Sequence, residues 1–405
     1  MKLSTQPYKG MNDYYPEDMR TRNWMFNIWR AVCQAFGYEE YDAPILEPLD
    51  LYVAKTSEEI VNEETYSFED RGGRKVVMRP EMTPSVSRMV AGRRQSLAYP
   101  LRLFSIPNCF RYERPQRGRT REFWQLNADI FGVDGLDADI EIILLANTIL
   151  RVFGAKPDQY EIQISSRKIV DEVFDDLKLT KAQRKAAIRL IDKKEKVKAT
   201  EWTKLFDDLL GKDKAKKLLI FLKEETVPEA AQNVIDQLRR YGVTNVRFNR
   251  YLARGFDYYT DIVFEVFDTD PKNNRAMFGG GRYDGLVGEF GVAPVPTVGF
   301  GMGDAPLLNF LETNGLMPEL ATETDIYVAV AGDAKAGAQS VAQQLRAQGK
   351  RVAVDLTGRK LDKQIKVAEK KGIPYVLFVG EKELQTGEFK LKNLADGSED
   401  IIRLT

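Results

Sequence analysis

The chain has 405 residues, with 60 lysines and arginines against 60 aspartates and glutamates, two cysteines and no histidine. That length supports two or three domains with sizeable cores, and the even charge balance means that any basic surface for nucleic acid must be local. The lack of histidine excludes an imidazole base, a Ser-His-Asp triad and a histidine-ligated zinc site; Cys33 and Cys109, with no C-x-x-C spacing, argue for two reduced, buried thiols rather than a metal site or disulfide framework.

In chain order, Met11 to Gly37 reads as a turn followed by a helix, with Trp24, Ile28, Ala31, Val32 and Phe36 at helical spacing and Gly37 at the C-cap. From Tyr38 to Leu150 short strands, Lys75–Arg79 and Leu101–Ser105 among them, alternate with helical stretches, and Asp137 to Phe153 is an amphipathic or buried helix. Residues 168–243 become mostly helical and charged. Between Lys181 and Lys223 there are 14 Lys/Arg against 6 Asp/Glu, which fits either a solvated helical face or phosphate contacts. Strand and glycine signals return from Tyr251 to Gly303, and Glu312 to Thr324 reads as a linker. Beyond it a strand (325–330), a helix (334–348), a strand (350–354), a helix (360–371), a strand (374–379) and a terminal hairpin imply a small α/β domain with a partly parallel sheet. No run approaches the roughly 20 apolar residues of a membrane helix, and the first residues lack a signal-peptide core, so a cytoplasmic protein with no membrane contact is expected.

Chemistry concentrates in Phe110-Arg-Tyr-Glu-Arg-Pro-Gln-Arg-Gly-Arg-Thr-Arg-Glu-Phe-Trp-Gln125. Its five arginines alternate with acceptors and aromatics around one glycine, as a site gripping a triphosphate and a polyanionic partner requires. This stretch resembles motif 2 of class II aminoacyl-tRNA synthetases. With Gly10-Met-Asn-Asp-Tyr-Tyr-Pro16, a motif 1-like segment through Pro44, Arg79-Pro-Glu-Met-Thr-Pro84, Leu252-Ala-Arg-Gly-Phe-Asp-Tyr-Tyr259, Gly279-Gly-Gly-Arg-Tyr-Asp-Gly285 and Gly358-Arg-Lys-Leu361, nearly the whole chain resembles the histidyl-tRNA synthetase family. Each motif alone is weak; their order and spacing carry the match.

The resemblance implies an α+β fold: a class II antiparallel-sheet catalytic domain over residues 1–320 with a helical insertion at about 168–243, and an α/β anticodon-binding domain over 325–405. It implies a ligase that activates L-histidine with ATP and Mg²⁺ to histidyl-adenylate, then transfers it to the 3′ end of tRNA(His), working as a homodimer through motif 1. Arg111 is then the α-phosphate ligand and, with Arg254, a catalytic residue that steadies developing charge. An ion pair with Asp257 is the structural alternative for Arg254. Glu113 would accept from the adenine amino group, and Phe123 would stack on the ring or else serve as strand core.

For histidine itself, Glu81 and Gln125 match the ammonium-binding groups, Thr83 a nearby polar contact, and Arg254 the carboxylate partner. Tyr258, Tyr259 and Tyr283 match the wall of the side-chain pocket. If Tyr258 and Tyr259 sit on a strand, only one faces the pocket and the other is structural. Asp129 stands where many relatives carry glutamate, so Asn127 or a water is expected to complete the imidazole contact. A site that pairs both ring nitrogens rejects apolar isosteres by roughly 10⁴-fold. Arg114 and Gln116 are expected at the acceptor end of the tRNA, and Arg359, Lys360 and Lys363, with Lys366, near the anticodon. No metal-ligating side chains are assigned.

The main break in the pattern lies in motif 3. The segment Val298-Gly-Phe-Gly-Met-Gly-Asp-Ala-Pro-Leu307 places Pro306 where motif 3 carries a γ-phosphate arginine. Arg119 or Arg121 would then hold that phosphate, or activation would be impaired. The second outcome corresponds to a silent, histidine-binding regulatory subunit of ATP phosphoribosyltransferase, the alternative reading of this chain.

Overall fold

The computed structural model describes residues 3–53, 64–113, 120–194, 197–252, 258–273 and 275–404. Two compact units emerge, Met1–Asp13 with Arg22–Met317, and Tyr14–Thr21 with Pro318–Thr405.

The larger unit is organised by a nine-stranded sheet. Its strands are β1 (Glu39–Glu40), β5 (Leu101–Ser105), β6 (Asn108–Phe110), β7 (Glu122–Phe131), β8 (Tyr160–Ser166), β9 (Val246–Phe248), β10 (Ile262–Asp268), β11 (Ala276–Arg282) and β12 (Thr297–Gly303). They run in the order β1-β5-β7-β12-β11-β10-β8-β9, with β6 on the end of β7. The central pairings are antiparallel, and only β1 with β5 and β8 with β9 are parallel. A separate three-stranded sheet joins β2 (Leu46–Pro48), β4 (Lys75–Met78) and β3 (Tyr66–Glu69).

The helices that cover the large sheet are read from their apolar spacing. Helix α1 (Pro16–Ala35) buries Met25, Phe26, Trp29, Val32 and Cys33, and Gly37, at φ +80°, follows its end where a left-handed residue closes the last turn. After the one-turn α2 (Asp50–Val53) and α3 (Thr83–Arg93), helix α4 (Asp137–Val152) is buried along most of its length, with Ile142, Ile143, Leu145, Ala146, Ile149 and Leu150 fully inside. Each of these isoleucine and leucine side chains contributes roughly 1.5–3 kcal/mol on burial. Both cysteines are buried, and desolvation pushes each thiol up to about 12, so neither is a nucleophile.

The helical stretch expected as one insertion divides between two cores. Helices α5 (Arg167–Asp176), α6 (Lys181–Asp192), α7 (Ala199–Leu210) and α8 (Lys212–Lys223) share a core of their own around Phe174, Trp202, Phe206 and Leu218. Helix α9 (Glu229–Arg240) instead sends Ala231, Val234, Ile235 and Leu238 into the core of the large sheet. Helix α10 (Asp304–Thr313) follows β12 directly, so its last residues occupy the start of the expected linker.

The smaller unit holds a five-stranded sheet in the order β14-β13-β15-β16-β17. Its strands are β13 (Ile326–Val330), β14 (Val352–Val354), β15 (Tyr375–Val379), β16 (Glu388–Asn393) and β17 (Glu399–Arg403). The first three are parallel, joined by α11 (Lys335–Ala347) and α12 (Leu361–Lys370); the short α13 (Glu381–Thr386) leads into the antiparallel hairpin. No helix among the described residues is long and apolar enough to cross a membrane.

Candidate active site

Strand β7 builds the site because alternate residues of a strand face opposite ways. Leu126, Ala128 and Ile130 enter the sheet core with Trp124 packed against them, whereas Phe123, Gln125, Asn127 and Asp129 line a cavity of about 310 Å³ on the other face. The neighbouring strand supplies the room. In β12, Gly299 pairs with Asp129 and Gly301 with Asn127. A Cβ on Gly299 would lie 1.8 Å from Asp129 Oδ1, and one on Gly301 would lie 2.2 Å from Gln125 Nε2. The polar side chains of β7 therefore lean across space that only glycine leaves open.

Asp129 and Tyr283 are 4% and 2% exposed, and the Tyr283 hydroxyl donates to Asp129 Oδ1. Burial pushes the Asp129 carboxyl up to about 7, against the lowering effect of that hydrogen bond. The Tyr283 phenol rises well above its ordinary value, first through burial and then through the neighbouring carboxylate. The cavity floor thus carries a carboxyl that changes charge near neutral pH and a hydroxyl that stays protonated. Beside it, Gln125 Nε2 donates to Asn127 Oδ1 at 2.8 Å and Asn127 Nδ2 donates to the Gln125 carbonyl at 3.1 Å, which fixes the Gln125 amide.

Glu81 is 3% exposed and accepts from the Tyr258 hydroxyl at 3.2 Å. Its main-chain carbonyl accepts from Tyr52 Oη, which also meets Ser85, and Ser85 donates to Glu47 at 2.9 Å. This buried chain of hydrogen bonds holds the start of α3, so that Glu81 and Thr83 both line the cavity. Tyr258 and Tyr259 are both there too, with ring centroids 4.9 Å apart. The expectation that one of them faces away is overturned for a geometric reason: neither lies in a strand, so strand alternation does not apply.

Arg111 and Glu113 line the other part of the cavity. Arg111 Nε donates to the Pro80 carbonyl at 3.0 Å, and its Cζ stands 5.3 Å from the Phe123 ring. Phe123 is half-buried on the cavity face, so it is not strand core. Arg121 is not brought to the cavity. Its Nε and Nη1 donate to the carbonyls of Glu113 and Lys9 at 3.1 and 3.2 Å, and its Cζ lies 3.9 Å over the Tyr112 ring. A guanidinium committed to two carbonyls and an aromatic face ties the ends of the motif 2 hairpin together rather than reaching a phosphate, which corrects the expected nucleotide contact. Arg114, Gln116, Arg119 and Arg254 lie outside the described residues. Arg359, Lys360 and Lys363 lie in the smaller unit, on and after the turn that precedes α12, all exposed.

Pro306 does line the cavity. It sits in the first turn of α10, where a missing N–H costs no helical hydrogen bond. Asp304 opens that helix, buried and accepting from the Ala305 N–H at 2.8 Å, and burial raises its carboxyl to about 6. Glu265 of β10 and Thr120 complete the polar lining. Sequence reasoning missed Asp304, Glu265 and the glycine floor. The Gly299-Phe-Gly-Met-Gly303 alternation was the available signal for the floor, because a strand with glycine at every second position has one face without side chains. Arg282, next to Tyr283, turns to the opposite face. There it pairs with buried Asp139 and donates to the carbonyls of Val133 and Gly135, which anchors the segment that presents Tyr283.

The histidyl-tRNA synthetase family model matches residues 10–305 and the anticodon-binding domain model matches residues 325–405. Among curated relatives, histidine–tRNA ligase of Leptospira biflexa is 42% identical, over 97% of this chain and 94% of that protein. The Halobacterium salinarum histidine–tRNA ligase is 38% identical, over 96% and 94%. In fold, the chain resembles the crystal structure of histidyl-tRNA synthetase from Nostoc sp. PCC 7120, with TM-score 0.80 and 22% identity over 99% of this chain and 97% of that one. It also resembles an ATP phosphoribosyltransferase regulatory subunit/histidyl-tRNA synthetase from Bacillus halodurans, with TM-score 0.76 and 23% identity over 94% and 99%. By the span of the family model and the identity to these relatives, the chain belongs to the histidyl-tRNA synthetase family.

Proposed function

We propose that this protein activates L-histidine with ATP and transfers the histidyl group to the 3′ end of tRNA(His). The observation that carries the reading is the cavity in which Arg111 and Glu113 stand beside Glu81, Gln125, Asp129 and Tyr283. A carboxylate oxygen of histidine attacks the α-phosphorus of ATP, and pyrophosphate leaves with the electrons of the broken P–O bond. A ribose hydroxyl of the tRNA then attacks the acyl carbon, and AMP leaves. Neither step uses an imidazole base of the protein, since the chain has none. Positioning and charge stabilisation do the catalysis.

In this reading Glu81 and Gln125 take the α-ammonium group, with Thr83 beside them. Asp129 and Tyr283 offer an acceptor and a hydroxyl to the two imidazole nitrogens, and Tyr258 and Tyr259 wall the ring. Arg111 and Arg254 hold the α-phosphate and the carboxylate, and Glu113 with Phe123 holds the adenine. Mg²⁺ accompanies ATP. Glu265 and Asp304, carboxylates that line the cavity, would hold the ion beside the phosphate oxygens, and the bound ion would supply positive charge against the phosphates. With Pro306 lacking a charge, Arg119 remains the candidate for the γ-phosphate. Arg114 and Gln116 contact the acceptor end, and Arg359, Lys360 and Lys363 the anticodon side. A homodimer through the motif 1 segment and a cytoplasmic location belong to the same proposal.

Histidine-dependent ATP–pyrophosphate exchange, run against proline, threonine and glycine, tests it. Exchange with histidine alone is expected. A folded protein that binds histidine yet catalyses no exchange would support the regulatory reading instead.

A further inference from the structure

The smaller unit contains a buried polar network that the activation chemistry does not use. Asp355, at the end of β14, is 2% exposed, and Gln364, one turn into α12, is 0% exposed. Between them the chain runs through an exposed turn, Leu356-Thr-Gly-Arg-Lys360, in which Gly358 takes φ +70°. Two strands of the fold, β13 and β14, feed this place. The Asp355 carboxylate accepts from the β13 residue Tyr327 through its hydroxyl at 2.8 Å, and from the Thr357 N–H at 2.7 Å. It also accepts from the Thr357 hydroxyl and stands 3.7 Å from the Arg359 guanidinium. Thr357 Oγ1 in turn accepts from Arg359 Nε at 2.8 Å. Carboxylate, hydroxyl and guanidinium therefore form a relay with one sense of donation, which sets the direction of the arginine.

Gln364 fastens the other end. Its Oε1 accepts from the Val330 N–H at 2.8 Å, while Nε2 donates to the Val330 carbonyl at 2.9 Å and to the Arg359 carbonyl at 2.6 Å. One buried amide thus ties the turn to the carboxyl end of β13. Its two donors and its carbonyl are all engaged, as burial of an amide requires. Burial tends to raise the Asp355 carboxyl, but the hydrogen bonds from Thr357 and Tyr327 and the Arg359 charge outweigh it and hold it below the usual range.

The surface so fixed has an unusual composition. Leu356 is 60% exposed with no core to join, Arg359 is 44% exposed at its side chain, and Lys360 and Lys363 are exposed beside it. Lys335 comes in from α11, its Nζ 3.7 Å from where a Cβ on Gly358 would stand. An apolar side chain and a planar guanidinium among lysines is what unpaired bases and their phosphates call for. The turn also lies at the carboxyl ends of parallel strands, the edge at which open α/β sheets present ligand-binding loops.

We propose that Asp355, Thr357 and Gln364 are positioning residues that hold the Leu356–Lys360 turn in the conformation that receives unpaired nucleotides of the tRNA. The inference rests on the ligase reading, which supplies the RNA. The physical gain is preorganisation. A free surface turn gives up backbone entropy when it is ordered on binding, and here the fold has already ordered it.

The test uses the full chain. Dissociation constants for tRNA(His) are measured by filter binding for the wild type, Asp355→Asn, Thr357→Val, Arg359→Ala and the Asp355→Asn/Arg359→Ala pair, alongside histidine-dependent pyrophosphate exchange. Thr357 is exposed, so its isosteric variant keeps the fold and retains the test if Asp355→Asn does not. Asp355→Asn and Thr357→Val are each expected to weaken tRNA binding roughly five- to tenfold with exchange unchanged, Arg359→Ala to weaken it at least as much, and the double variant to fall within about twofold of Arg359→Ala alone. Unchanged tRNA binding in Thr357→Val, full additivity in the pair, or a parallel loss of exchange would overturn the inference. Absence of exchange in the wild type would sink the ligase reading, while the binding constants would still decide whether the turn is held for RNA.

Discussion

The two faces of the large sheet are made by the same strands and do opposite work. In β12, Val298, Phe300 and Met302 belong to the core, while Gly299, Gly301 and Gly303 alternate with them and line the cavity. One face is filled to exclude water; the other is emptied so that Gln125 and Asp129 of the adjacent strand have somewhere to lean. Stability and substrate recognition are thereby written on alternate residues, and substitutions one position apart should fail in different ways.

The largest effect is expected on the filled face. Met302→Ala removes a fully buried side chain and should cost about 2–5 kcal/mol of stability, read as a lower midpoint in denaturant, with little change in exchange per folded molecule. One residue away, Gly301→Ala puts a methyl group against the Gln125 amide. A loss of about a hundredfold in kcat/KM for histidine is expected, about 2.7 kcal/mol, with a midpoint close to wild type. If both variants lost stability and activity together, the division of labour between the faces would be wrong.

Asp129 sharpens the comparison through pH. Its carboxyl is raised from 3.8 to about 7, so as an imidazole acceptor it is charged only above that pH, and kcat/KM for histidine should fall as the pH drops below about 7. Asp129→Asn should lose roughly tenfold or more at pH 8, the scale of a hydrogen bond to a charged group, and should lack the limb near pH 7. An unchanged limb would assign it to the substrate's own imidazole. The sign for stability is opposite. A raised native pKa means that the folded state holds the proton more tightly, so the contribution of Asp129 declines as pH rises from about 4 to about 7 and is constant above.

The smallest effect belongs to Pro306. Because the first turn of α10 needs no N–H there, Pro306→Ala should change stability by no more than about 0.5 kcal/mol and exchange by less than about twofold. A large loss would mean that the ring itself shapes the nucleotide site.

Much of this was legible in the chain. Strands β5 and β15, helices α1, α4, α11 and α12 and the terminal hairpin follow from period and punctuation, because each buries one face against a core and stops at glycine or a polar turn. The separate packing of α9 was not legible: amphipathic spacing says that a face will be buried but not against what. Arg121 misled for a related reason. A run of five arginines reads as one phosphate grip, and only the placement of Tyr112 and the carbonyls of Lys9 and Glu113 turns one of them into a structural tie. Asp304 and Glu265 carried no local signal, since a single carboxylate in a strand or helix end is common.

By itself the sequence determined the family, the order of the elements and the residue types available for chemistry, including the exclusion of every mechanism that needs a protein imidazole. The family rests on the order and spacing of the motifs and the rest on local period and composition, none of which neighbours distant in the chain alter. The tertiary structure alone decided that Tyr258 and Tyr259 both line the cavity, that glycines of β12 make room for β7, and that Asp355 and Gln364 converge under one basic turn. Each of these depends on strand register and on contacts between residues far apart in sequence, where a shift of one position would exchange the filled face for the open one.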